Sequence, residues 1–422
     1  MTHQTISPNR PAAQNRPPSP PPSRSGRTYW LDYLRGFITV LVVAHHSALA
    51  YTTFAHFNPQ VYNASTHPIV DNVRSLSMDL FEDFNDVFFM SLMFLISGIF
   101  VLPSLARKGP RQFLRDRFRR LFIPFLIAVT FVTPIGYFAS WRLAHGNSDI
   151  RAFLVDYITV EHWPPGPPWF IGILFIFNLI ITRIFIRWRP TLDRWVATIA
   201  GVASGSRAGR PIGPLGLLIR AYVLTLILFL PLVLLFGSSA WIGIGPFAIQ
   251  LSRILLYEGY FVVGVLIGAA GTDKGLLADN SALMRYTPLW VLLCLLAYAL
   301  LKFAGVYIQG LEDHAGLAEI PARLLYRPIW TLSCVASCLA FLAVFHRIFT
   351  RTTSPRIWES LAANAYGIYL IHWVFVLWLQ YLLIPVALPA VPKFFLTLTG
   401  SLSLSWVLTA LIRRIPLVGK YL

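Results

Sequence analysis

Charge is scarce in this chain: Asp, Glu, Lys and Arg together make up 13% of its 422 residues, against 56% hydrophobic ones. A soluble domain carries about a quarter charged residues, so the composition excludes an ordinary soluble fold. Acidic residues are the scarcer kind, 18 against 35 basic ones, which leaves a formal net charge of +17. Such an excess would suit nucleic acid, but the basic residues recur between apolar runs instead of forming one patch, so no nucleic-acid partner is expected. Only three cysteines occur, Cys294, Cys334 and Cys338, all inside apolar runs. That excludes a disulfide framework and a metal-type spacing. Cys334 and Cys338, four apart, share a helix face and read as packing residues. No internal repeat relates the two halves.

What is present is apolar sequence in long runs, with a mean hydropathy of +0.62. Residues 1–27 are rich in Pro, Ser, Asn, Gln and Arg and read as a disordered cytoplasmic tail, without the apolar core of a signal peptide. Residues 28–422 read as one all-α, polytopic membrane domain of about ten transmembrane helices. The spans are expected near 32–54, 84–104, 121–141, 168–186, 215–236, 254–270, 287–308, 326–345, 360–384 and 393–413. The connections alternate in charge. Arg107, Lys108, Arg111, Arg115, Arg117, Arg119 and Arg120 lie on one side, with Arg187, Arg207, Arg210, Lys274, Arg285, Arg347, Arg351 and Lys420. The other side holds few basic residues, and Asp71, Asp149, Asp156, Glu161 and Trp163. Both termini are therefore expected in the cytoplasm. Pro124, Pro134, Pro231, Gly259, Gly264 and Gly268 are expected to kink helices beside a cavity.

Ionisable residues inside a span are costly and point to function. The first span carries four: Asp32, Arg35, His45 and His46. Arg35 and His46 are eleven residues apart, about three full helical turns, so they share a face and are separated by about 16 Å along the axis. His45 falls about 80° away. Arg35 would then sit near the inner surface and His46 near the midplane, where a neutral imidazole could serve as general base. The plainer alternative is a snorkelling arginine and an interhelical histidine.

Other polar groups stand out. In Phe113-Leu-Arg-Asp-Arg-Phe-Arg-Arg-Leu-Phe-Ile-Pro124, Arg117 and Arg120 share a helix face beside Arg119, which suits phosphate binding or simple topology control. Tyr366, Tyr369 and His372 form a polar seam on a later span. Asp86 lies one turn inside the bilayer. Glu161 and Trp169, in Glu161-His-Trp-Pro-Pro-Gly-Pro-Pro-Trp-Phe170, could hold a sugar, although Trp at that depth often anchors at the interface. Glu258 is expected to pair with Arg253.

Leu31-Asp-Tyr-Leu-Arg-Gly…His46 resembles the Arg-x10-His signature of the membrane-bound acyltransferase-3 family. Phe94-Leu-Ile-Ser-Gly98 is similar to its Phe-x-x-Ser-Gly element, and Arg117-Phe-Arg-Arg120 to its Arg-x-x-Arg motif. Pro168-Trp-Phe170 and Tyr369-Leu-Ile-His372 look like later landmarks. The resemblance covers about residues 28–413. It implies ten helices and transfer of an acyl group, acetyl or succinyl, from cytoplasmic acyl-CoA to a carbohydrate hydroxyl. It also implies Arg35 and His46 as the essential pair, with Arg117 and Arg120 as the basic motif. The compact form, without a fused outer domain, looks most like the glucan succinyltransferase branch, and the Pro-rich tail is atypical. No bound cofactor or metal is expected; acetyl-CoA or succinyl-CoA is a substrate. The expected location is a bacterial inner membrane. The alternative reading is a secondary transporter of a sugar or organic anion, and a third is an envelope scaffold.

Overall fold

A computed structural model describes residues 29–204, 213–238, 240–271, 275–315, 317–350, 355–416 and 418–419. The tail 1–27 lies outside the described residues, as do Arg207, Arg210, Lys274, Arg351 and Lys420. The chain folds as helices α1 (Tyr29–Leu49), α2 (Leu76–Lys108, broken at Phe100), α3 (Pro110–His145), α4 (Ile150–Thr159), α5 (Trp169–Arg187) and α6 (Arg189–Ser204). They continue as α7 (Pro214–Phe236), α8 (Ile254–Ala270), α9 (Thr287–Ala315), α10 (Glu319–Phe349), α11 (Arg356–Leu383) and α12 (Ala390–Ile412).

Among the described residues nine helices, α2, α3, α5 and α7 to α12, are long and apolar enough to cross a membrane. Helix α1 has 21 residues, enough for about 31 Å. Its two histidines, Asp32 and Arg35 dilute its hydropathy, so it stands outside that set. It is nonetheless central, packed on α2, α10, α11 and α12.

The all-α expectation fails at one place. Trp241–Ile244 (β1) and Phe247–Gln250 (β2) pair antiparallel, with Ile244 opposite Phe247. The two-residue turn carries Gly245 at φ +53°, the positive value its first central position needs.

The proline expectation holds in α3, which contains two π turns, Phe118–Phe122 and Ala128–Val132. Each closes one residue before a proline, Pro124 or Pro134, whose missing N–H breaks the regular ladder. Gly264 and Gly268 differ from expectation. They lie in an unbroken α8 and serve close approach: a Cβ at Gly264 would fall 2.0 Å from the Leu95 carbonyl oxygen, and one at Gly268 1.8 Å from that of Ile99.

Helix α1 also ends earlier than expected, at Leu49 rather than 54. Its exposed terminal carbonyls are met by a distant residue: Gln380 Nε2 donates to the oxygens of His46 (3.0 Å) and Ser47 (3.3 Å). The following loop turns back over the helix end, tied by Asp71 N to Ala50 O and Ser75 N to Tyr51 O.

Candidate active site

Arg35 and His46 both face α11. Arg35 lines a cavity with Ala362, Tyr366 and Tyr369 of that helix, while His46 packs on His372 and Trp373. His45 turns toward α2, with its ring 4.9 Å from Phe89 and Nε2 3.8 Å from Glu82 Oε1. The common face read from the eleven-residue spacing is therefore present. The height is not as expected. His46 lies in the last turn of α1, nearer the C-terminal end of the helix than its middle.

The cavity beside Arg35 has a volume of about 450 Å³. Arg35, Arg117 and Arg120 converge on it from α1 and α3, joined by Arg413 beyond α12. Arg35 is paired with Asp32 at 3.1 Å but keeps 42% of its side chain exposed. Arg117 lies over the Phe113 ring at 4.8 Å. The first π turn shapes this wall: Pro124 cannot donate to the carbonyl four residues back, and that carbonyl, of Arg120, accepts from the Tyr366 hydroxyl at 2.6 Å instead. Arg119 is exposed and does not line the cavity. Four guanidinium groups thus face one space, with Asp32 beside Arg35 as a counter-charge, which suits a polyanionic ligand.

Above the cavity stands Tyr369, with its hydroxyl donating to the Pro167 carbonyl. Its ring is 5.9 Å from that of His372. His372 is fully buried and stacks on His46 at 5.5 Å between centroids, planes 23° apart. The His372 Nδ1 proton goes to the Tyr369 carbonyl at 2.7 Å, leaving Nε2 with a free lone pair in the neutral ring. Neither histidine lines the cavity; Tyr369 lines it and stands between Phe170, at 5.9 Å, and His372.

Next to the histidines, rings from α3, α4, α11 and the loop after α1 form a cover. Tyr62, Tyr137, Trp141, Phe153, Tyr157 and Trp373 make a buried aromatic cluster. His67 Nε2 donates to Gln380 Oε1 at 2.7 Å, which links the cover to the end of α1. Burial pushes His67 down to about 4.

The remaining sequence candidates are placed apart from this line. Glu161 is buried, and its carboxylate accepts the backbone N–H groups of Tyr62 (2.9 Å) and Asn63 (2.8 Å), clamping one loop to another. Burial pushes it up to about 7. Trp169 packs on Trp241 of β1 and on Tyr257. Asp86 forms a two-pronged pair with Arg253, at 2.5 and 2.8 Å. Arg253 is thus not the partner of Glu258, because Asp86 reaches it from α2. Sequence reading missed Gln380, His67 and Arg413 as neighbours of the site. Gln380 carried a signal, as an amide in an apolar span two turns beyond His372.

A family model described as an acyltransferase domain matches residues 28–410. Glucans biosynthesis protein C of Escherichia coli O6:K15:H31 is 26% identical over 175 residues, 41% of this chain and 42% of that protein. The protein of the same name from Shigella dysenteriae serotype 1 is 28% identical over 176 residues, again 41% and 42%. The chain thus matches less than half the length of these curated relatives. No solved structure matches it.

Proposed function

The chain belongs to the acyltransferase-3 family, and from that premise we propose that it moves an acetyl or succinyl group from cytoplasmic acyl-CoA to a hydroxyl of an extracytoplasmic glucan. In this reading α1 and the nine apolar helices cross a bacterial inner membrane with both termini inside. The observation that carries the donor side is the convergence of Arg35, Arg117 and Arg120 on one inner cavity. Guanidinium groups bind phosphate oxygens in bidentate fashion, and the nucleotide end of CoA is rich in phosphate. The pantetheine arm would follow the face of α1 that leads, about 16 Å on, from Arg35 to His46.

Tyr369 must move for the thioester to pass, which makes its bond to Pro167 a latch. At the top, His46 takes the proton of the acceptor hydroxyl as its oxygen attacks the thioester carbon. The C–O bond forms, the C–S bond breaks, and the imidazolium returns the proton to the CoA thiolate. The aromatic cover keeps bulk water from the thioester. The glucan acceptor is suggested by the names of the relatives.

Mass spectrometry of envelope glucans from cells with and without the protein tests this reading. An acyl mass increment that depends on the protein is expected. Identical glucan masses, together with no CoA release by the purified protein, would refute it.

A further inference from the structure

Among the described residues, the buried side-chain atoms without a hydrogen-bond partner include four around the histidine pair: Nδ1 of His46, Nε2 of His372, Nε1 of Trp373 and Oγ1 of Thr133. Buried polar groups are nearly always satisfied, so each of these atoms calls for an account, and a ligand between them would complete the bonding. Trp373 differs from the other three in chemistry. Its indole nitrogen can only donate. It cannot be satisfied by a proton, nor by a metal at an unprotonated nitrogen; it needs an acceptor oxygen.

The indole is held firmly. Its ring meets His46 at 4.9 Å and 73°, His67 at 5.3 Å and 89°, and Tyr137 at 6.0 Å and 63°. Space is kept in front of the N–H by a glycine. A Cβ at Gly166 would lie 3.2 Å from Trp373 Nε1 and 3.2 Å from Thr133 Cγ2, and the residue sits at φ +54°. The nearby backbone offers no acceptor to Thr133 either. The carbonyl four residues before it, of Val129, already accepts from Tyr157 Oη (3.3 Å) and Trp163 Nε1 (3.2 Å), having been released by the second π turn.

We propose that the Trp373 indole N–H is the oxyanion donor of the transfer reaction, hydrogen-bonding the acyl carbonyl oxygen as it gains negative charge. This rests on the reading of His46 as the base. As the acceptor oxygen bonds to the thioester carbon, the carbonyl π electrons move onto its oxygen, which accepts from Trp373 Nε1. When the carbonyl re-forms, the C–S pair leaves with the thiolate and the bond weakens. A preorganised donor in a water-excluded site stabilises that oxygen more in the transition state than in the substrate.

The test is kinetic, on the full-length protein in lipid with acetyl-CoA and succinyl-CoA as donors. Trp373→Phe removes the donor but also some packing. A second variant places benzothienylalanine at position 373, which keeps the bicyclic shape and replaces N–H by sulfur. Both are expected to lower kcat by about 100-fold or more. The KM for acyl-CoA should stay within roughly twofold, since the loss is confined to the transition state. A benzothienylalanine variant with wild-type kcat, or with a change in KM alone, overturns the assignment. If wild-type protein releases no CoA, or His46→Ala releases it normally, the underlying reading fails and takes this assignment with it.

Discussion

The imidazoles of His46 on α1 and His372 on α11 stack at 5.5 Å with planes 23° apart, although 326 positions of sequence separate them. His372 is tied through Nδ1 to its own helix and is fully buried, so it presents a fixed ring face to the more accessible His46. That makes His372 a platform. His372→Ala should lower both the melting temperature and kcat, because it leaves a void against His46. His372→Phe restores the stacking surface and should recover transfer to within roughly tenfold of wild type. A phenylalanine variant as inactive as His46→Ala would show instead that His372 handles the proton.

The arginines make a separable prediction. Replacing Arg35, Arg117 or Arg120 by Ala should raise the KM for acyl-CoA by about 10-fold or more each, as expected for a lost charge-assisted bond. Added salt should raise the wild-type KM as well. Arg119→Ala, whose side chain lies off the cavity, should leave KM unchanged. Steady-state kinetics with varied acyl-CoA read all four variants; equal effects at all four positions would contradict the phosphate assignment.

Tyr369 lines the arginine cavity, and its ring stands 5.9 Å from that of His372. Tyr369→Phe keeps the ring but removes the hydrogen bond to Pro167. CoA release without any acceptor should rise several-fold, by about 1 kcal/mol of lost latch energy. Thiol release measured without glucan checks it, and a fall in that rate would count against the latch.

Glu161 gives a pH signature. Burial raises its carboxyl from 4.5 to about 7. The folded protein therefore holds a proton that the unfolded chain loses over that interval, and stability from this group, full below about pH 4.5, falls as pH rises and is gone above about pH 7. The melting-temperature difference between wild type and Glu161→Gln should fall from pH 4.5 to 7 and then flatten. His67, pushed down to about 4, acts in the opposite sense but is common to both proteins and cancels. A difference that grows with pH would contradict the burial argument.

Much of this architecture was legible because membrane helices are written locally, in runs of apolar residues. All ten expected segments correspond to helices, with α2, α3, α9 and α10 each longer than the apolar run expected for it. The shared face of Arg35 and His46 was legible for the same reason, since helical periodicity alone decides it. The end of α1 was not. It is set by Gln380 from another helix, together with backbone ties from the following loop, and no local signal stops the helix at Leu49. The close-packed glycines of α8 were read as kinks because a glycine's use depends on which helix lies against it. The hairpin was missed although Gly245-Pro246 is a turn signal, because its apolar strands merge with the neighbouring spans. Glu161 was read as a group that could hold a sugar, and its loop-clamping role was not legible, because its partners, the N–H groups of Tyr62 and Asn63, lie almost a hundred residues upstream.

The most direct test is acyl transfer by His46→Ala. Purified full-length protein in lipid is given labelled acetyl-CoA or succinyl-CoA with glucan, and product is counted alongside acyl-CoA binding and melting temperature. The base role predicts a loss of transfer of about 100-fold or more, with binding retained, because His46 does not line the cavity on which the arginines converge. Transfer at the wild-type rate from a folded His46→Ala protein would contradict it.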